Sequence, residues 1–200
     1  MRFLSLSVAL IVFSTRAFAL DPSFDCAKAG SSAEEAVCAS DALAALDLEL
    51  ARVYGLAATS DLSSERLNEL KATQRGWIKG RDECWKSSLG LEACVGNEYA
   101  FRIAELRQGY AGAREGDGPS EGPFPYVCEG MDAPLSVTFI NAEPPRAVVG
   151  MQDGTRVLVA GPSGSGVRYE GIDMVLHTKG KEAAVEIDGA ASQCMQDDIG

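Results

Sequence analysis

The hydrophobic pattern of this chain changes period near its middle. Val37, Leu43, Leu46, Leu50, Val53 and Tyr54 recur at three- and four-residue steps, the spacing of one helix face. Ser32-Ala33-Glu34-Glu35 precedes them as a capping-box pattern, so one helix is predicted to about residue 58. Residues 59–64 read as a polar turn. Leu67, Leu70, Trp77 and Ile78 then mark a second helix ending near Cys84-Trp85. After a turn at 87–90, Val95, Tyr99, Ile103, Leu106 and Tyr110 form a third stripe.

Beyond residue 126 the runs shorten and alternate. Residues 126–128, 135–140, 147–151, 156–160, 167–169, 174–177, 183–187 and 192–194 read as strands. Pro144-Pro145, Asp153-Gly154, residues 161–166 and residues 179–181 supply the turns between them. About eight strands at this spacing read as an antiparallel barrel or sandwich. Residues 111–125 carry Gly112, Gly116, Gly118 and Gly122 with Pro119, Pro123 and Pro125, and few apolar side chains. That composition reads as a linker about which two halves move. The expected fold class is therefore α+β with two domains: a three-helix domain over 20–110 and a small antiparallel β-barrel over 126–200.

The first residues add a compartment. Met1-Arg2, an apolar run through Phe13, then Arg16 and Ala17-Phe18-Ala19 make a secretory signal peptide over 1–19, cleaved after Ala19. The run is too short to span a membrane. Cys26 follows Ser23-Phe24-Asp25 and not a lipobox. The expectation is an exported, periplasmic protein with no membrane anchor. Losing Arg2 and Arg16 takes the net charge from −11 to −13. Such acidity disfavours nucleic acid and favours a basic partner.

Six cysteines in an exported chain read as three disulfides. If the halves fold separately, Cys128 must pair with Cys194, and Cys26, Cys38, Cys84 and Cys94 keep three pairings open. Closing short loops favours Cys26–Cys38 and Cys84–Cys94. Two such bridges would staple the helical domain, and Cys128–Cys194 would tie the first strand to the last.

His177 is the single histidine, which leaves little room for a His-based triad or a multi-histidine metal site. No phosphate loop or dinucleotide fingerprint is present. An enzyme is the weaker class, and no cofactor or metal is expected. Residues 162–181 carry the chemistry that remains. Ser165-Gly166 sits in a glycine-serine turn, and Thr178-Lys179-Gly180 forms a second turn beyond a strand pair. Two turns flanking a strand pair place a hydroxyl and an ammonium at one end of a sheet.

This segment, S-G-x-x-Y followed by T-K-G between a Tyr-x-Cys start and a cysteine near the C-terminus, resembles the MliC/PliC inhibitors of C-type lysozyme over about residues 126–194. The resemblance implies a small antiparallel barrel and a C-type lysozyme as partner. It implies that Ser165 and Lys179 enter the lysozyme active site, with Gly166, Arg168, Tyr169, Thr178 and Gly180 shaping or flanking the contact. A buried, structural Tyr169 is the other reading of that residue, and Ser163 is the fallback for Ser165. Where the family carries an aromatic pair before T-K-G, this chain has Leu176-His177. In the helical half, F-D-C-A-K-A, E-E-A-V-C, Q-R-G-W-I-K-G-R-D-E-C and C-V-G-N-E-Y-A-F-R-I-A-E-L resemble the LprI-type domain. By that likeness Trp77, Arg81 and Asp82 are candidate surface contacts. The function expected is inhibition of C-type lysozyme. The alternative is a non-inhibitory envelope module that binds peptidoglycan or a protein partner.

Overall fold

The computed structural model describes residues 20–197; the predicted signal peptide lies outside them. Four helices come first: α1 (Ser32–Ala39), α2 (Asp41–Thr59), α3 (Ser64–Arg81) and α4 (Leu91–Gly109). The first predicted helix is thus two. Ser40 adopts an extended conformation and its hydroxyl accepts from Leu43 N, so it ends α1 and caps α2. The capping box also sits one residue earlier than predicted. Ser31 Oγ accepts from Glu34 N at 3.2 Å, while Glu34 Oε2 accepts from Gly30 N at 2.7 Å.

Eight strands follow: β1 (Ser120–Cys128), β2 (Leu135–Ile140), β3 (Arg146–Met151), β4 (Gly154–Gly161), β5 (Val167–Glu170), β6 (Met174–Lys179), β7 (Glu182–Ile187) and β8 (Ala190–Gln196). Each pairs antiparallel with its sequence neighbours, and β1 pairs with β8, closing a barrel. Cys128 and Cys194 are register partners across that closure and are bridged; the other disulfides are Cys26–Cys38 and Cys84–Cys94. Inward positions alternate along the strands as a half-buried sheet requires, with Tyr126, Val137, Val149, Leu158, Tyr169, Leu176 and Val185 filling the barrel.

The residues predicted to form a linker carry structure. Residues 111–114 make a 3-10 turn, and β1 begins at Ser120, six residues before the predicted strand. This segment is tied to the helices by buried charge. Glu49 is 2% exposed; it accepts from Ser120 N at 3.2 Å, from the Ser120 hydroxyl in a short contact, and from Arg52 at 2.7 Å. Arg107 donates to Gly122 O at 2.9 Å and Ala113 O at 3.2 Å. Ile140 and Val148, on the outer face of β2 and β3, join the helical core. The helices therefore pack on the outside of the barrel, and the opposite side is left to solvent and to the loops.

Candidate functional site

The loop between β4 and β5 and the turn between β6 and β7 lie at one end of the barrel. Strand pairing forces this: Val167 of β5 faces Thr178 of β6, so Ser165-Gly166 precede one strand where Thr178-Lys179 end the other. Gly166 makes the approach close. Its φ is +67°, and a Cβ there would lie 2.2 Å from the Thr178 carbonyl oxygen, so only glycine fits. Gly180, at φ +63°, opens the two-residue turn closed by the Lys179–Glu182 pair, the position where such a hairpin places glycine.

Ser165 and Lys179 are both exposed. Lys179 forms no ion pair among the described residues, so its ammonium is available to an incoming carboxylate. Arg168 contacts the Glu170 carboxylate closely, on the outer face. Ser163 Oγ donates to Ser165 O at 2.8 Å, and His177 Nε2 lies 2.6 Å from the same oxygen. Ser163 therefore supports the loop backbone. Tyr169 is not a rim residue. It is 4% exposed, packs on Phe139 at 5.7 Å between ring centroids, and burial pushes its phenol up. It belongs to the core beneath the loop, because its place in the strand alternation points it inward. Leu176, one of the two residues in the family's aromatic positions, is fully buried beside it.

The helical half corrects a second expectation. Arg81 is only 4% exposed and is no surface contact. It donates to Asp82 Oδ1 at 2.7 Å and to Tyr99 OH at 3.0 Å; Tyr99 in turn donates to Asp47 Oδ1 at 2.8 Å. Burial, reinforced by the Asp47 carboxylate, pushes the Tyr99 phenol well above its usual range. Trp77 is half-buried, stands edge-on to Tyr99 at 5.2 Å, and donates from Nε1 to Glu98 O. Asp47, Trp77 and Arg81 line a cavity of about 320 Å³ with Phe24 and Tyr54. Asp47 and Glu49 do not stand out in the apolar pattern of the sequence. Asp47 sits four residues after Leu43 and three before Leu50, so its place on the apolar stripe was the available signal.

Among the described residues no cluster of three His, Cys, Asp or Glu is arranged to hold a metal, and no helix is long and apolar enough to cross a membrane. The exposed Ser165 hydroxyl and Lys179 ammonium at the barrel end are donors suited to carboxylates.

Comparison with known proteins agrees with this division. The family described as membrane-bound lysozyme-inhibitor of c-type lysozyme (MliC) matches residues 126–193, and that described as lysozyme inhibitor LprI matches residues 26–106. Lipoprotein LprI of Mycobacterium bovis and that of Mycobacterium tuberculosis are each 30% identical over 175 residues, covering 86% of this chain and 83% of theirs. The crystal structure of Pseudomonas aeruginosa MliC in complex with hen egg white lysozyme is 28% identical over 42% of this chain and 89% of that one, with a TM-score of 0.35. Helices and barrel together define a two-part chain of the lysozyme-inhibitor class. Within that class, it belongs to the LprI family.

Proposed function

We propose that this protein is an exported inhibitor of C-type lysozyme that seats the Ser165–Lys179 end of its barrel in the catalytic cleft. The observation that carries the reading is the juxtaposition of an exposed serine and an unpaired lysine at one barrel end, in the segment matched by the MliC family. A C-type lysozyme works with a glutamic acid and an aspartate flanking the scissile bond. The Lys179 ammonium pairs with one carboxylate and the Ser165 hydroxyl donates to its neighbour, so substrate is excluded and the proton inventory of the cleft is disturbed. No bond is made or broken. The net charge of −11 steers the inhibitor onto a basic enzyme.

Export follows from the leader pattern in residues 1–19. Cys26, the first cysteine after it, is bonded to Cys38, so its sulfur is not free to carry a lipid. The protein acts in the periplasm without a lipid at that position.

Calorimetric titration of a C-type lysozyme with the mature protein tests this directly. Lys179→Ala should weaken binding by roughly 2–5 kcal/mol, because it leaves a desolvated carboxylate without its partner. Equal affinity of wild type and variant would remove Lys179 from the interface.

A further inference from the structure

We propose that His177 is a positioning residue for the inhibitory loop, holding the Ser165 carbonyl so that the Ser165 hydroxyl stands beside Lys179. This rests on the lysozyme reading above and adds a residue to which no role in that site has been given.

His177 lies on β6 with its side chain on the outer face, opposite Arg168 of β5 and two residues before Lys179. Its Nε2 is 2.6 Å from Ser165 O and 3.4 Å from Ser163 Oγ. A carbonyl oxygen only accepts, so Nε2 carries the proton and the tautomer is set. Ser163 Oγ donates to the same oxygen at 2.8 Å, so two side chains converge on one backbone atom of an exposed loop. In the same peptide unit, Gly166 abuts the Thr178 carbonyl, next to His177 on β6. Residues 165–166 are thus held against β6 in two ways: by hydrogen bonds to the Ser165 oxygen and by the close approach of Gly166 to the Thr178 carbonyl. A phenyl ring at position 177 would offer a flat face but no donor. In this chain the histidine replaces support by packing with support by a directed donor.

The test uses the full mature chain with three substitutions. His177→Phe keeps a ring and removes the donor, His177→Gln keeps an amide N–H, and Ser163→Ala removes the second donor. Two readouts are taken: the inhibition constant against hen egg white lysozyme, and the backbone 15N heteronuclear NOE at Ser165 and Gly166 in the free protein. His177→Phe should weaken inhibition about tenfold and lower the NOE, the worth of one neutral hydrogen bond. His177→Gln should stay within about threefold of wild type, and Ser163→Ala should fall between them. Since His177 is on the outer face, unchanged far-UV circular dichroism is expected for all three. Wild-type behaviour of His177→Phe in both readouts would overturn the proposal, as would equal loss in His177→Phe and His177→Gln. If wild type itself does not inhibit, the lysozyme reading fails, and the NOE alone decides whether the histidine orders the loop.

Discussion

The helical half and the barrel treat charge in opposite ways. The helices bury Asp47, Glu49, Arg81, Arg102 and Arg107, each with partners. The barrel lumen is filled by apolar and aromatic side chains, and its reactive groups stand outside, at the end of β6 and in the loop before β5. A buried charge whose partners are fixed cannot serve a visiting protein without leaving them, at a cost of several kcal/mol. An exposed ammonium beside a serine loses only hydration on binding. The contrast supports the proposal that the helices form the framework and the barrel end the contact.

The comparison breaks most visibly at the barrel closure. Removing the Cys128–Cys194 bridge, which spans 66 residues, should lower barrel stability by about 4 kcal/mol by the loop-entropy model. The two tryptophans, Trp77 and Trp85, both lie in the helical half. Denaturation of the Cys128→Ser, Cys194→Ser protein followed by tryptophan fluorescence and by far-UV circular dichroism should therefore give separated transitions if the halves unfold independently. Coincident transitions would show that the Glu49–Ser120 tie makes them one cooperative unit.

A smaller effect is expected at Asp47. Asp47→Ala strips the acceptor from the Tyr99 hydroxyl and from Ser23 N, and should cost about 2 kcal/mol of stability. Below its melting temperature it should leave the inhibition constant unchanged. Loss of inhibition in folded Asp47→Ala would bring the helical half into the contact.

Arg146 sharpens the comparison with the opposite sign. It is the barrel's buried charge, 7% exposed on the outer face and packed against Gly96 of α4, and its Nε has no partner. Burial pulls its guanidinium below the usual value. Arg146→Met should raise the denaturant midpoint, by about 1–2 kcal/mol in stability, because no carboxylate loses a partner when the charge goes. The smallest expected change is kinetic. The association rate with a basic lysozyme should fall roughly tenfold between 0.01 and 0.15 M salt, read by stopped flow, as screening shortens the reach of the acidic surface.

Much of this arrangement was legible in the sequence. The eight alternating runs gave the eight strands, and S-G-x-x-Y with T-K-G marked the barrel end. The break at Ser40 went unread although the six-residue step from Val37 to Leu43 would turn a continuous helix by about 240°, with the cap residue Ser40 between them. The start of β1 was hidden by Pro123 and Pro125, which argue against a strand. They are tolerated because β1 pairs with β8 only over Tyr126, Val127 and Cys128, Pro123 falls in the register irregularity between Glu121 and Phe124, and Pro125 meets the β8 side only as an acceptor, from Asp197 N at 2.8 Å. The Arg81–Tyr99–Asp47 network joins residues on three helices, and no local spacing announces such a contact. Arg81 and Asp82 read as a solvated or contact pair for that reason.

In the proposed function, the barrel end and not the helical half blocks lysozyme. The most direct measurement is residual activity of a C-type lysozyme on cell-wall substrate, titrated with the mature protein and with its Ser165→Ala, Lys179→Ala double variant. Wild type should inhibit stoichiometrically, and the double variant should lose at least about a hundredfold in potency. Undiminished inhibition by the double variant would contradict the proposal and move the contact elsewhere on the molecule. No inhibition by oxidised wild type would instead favour an envelope module that binds peptidoglycan or another protein.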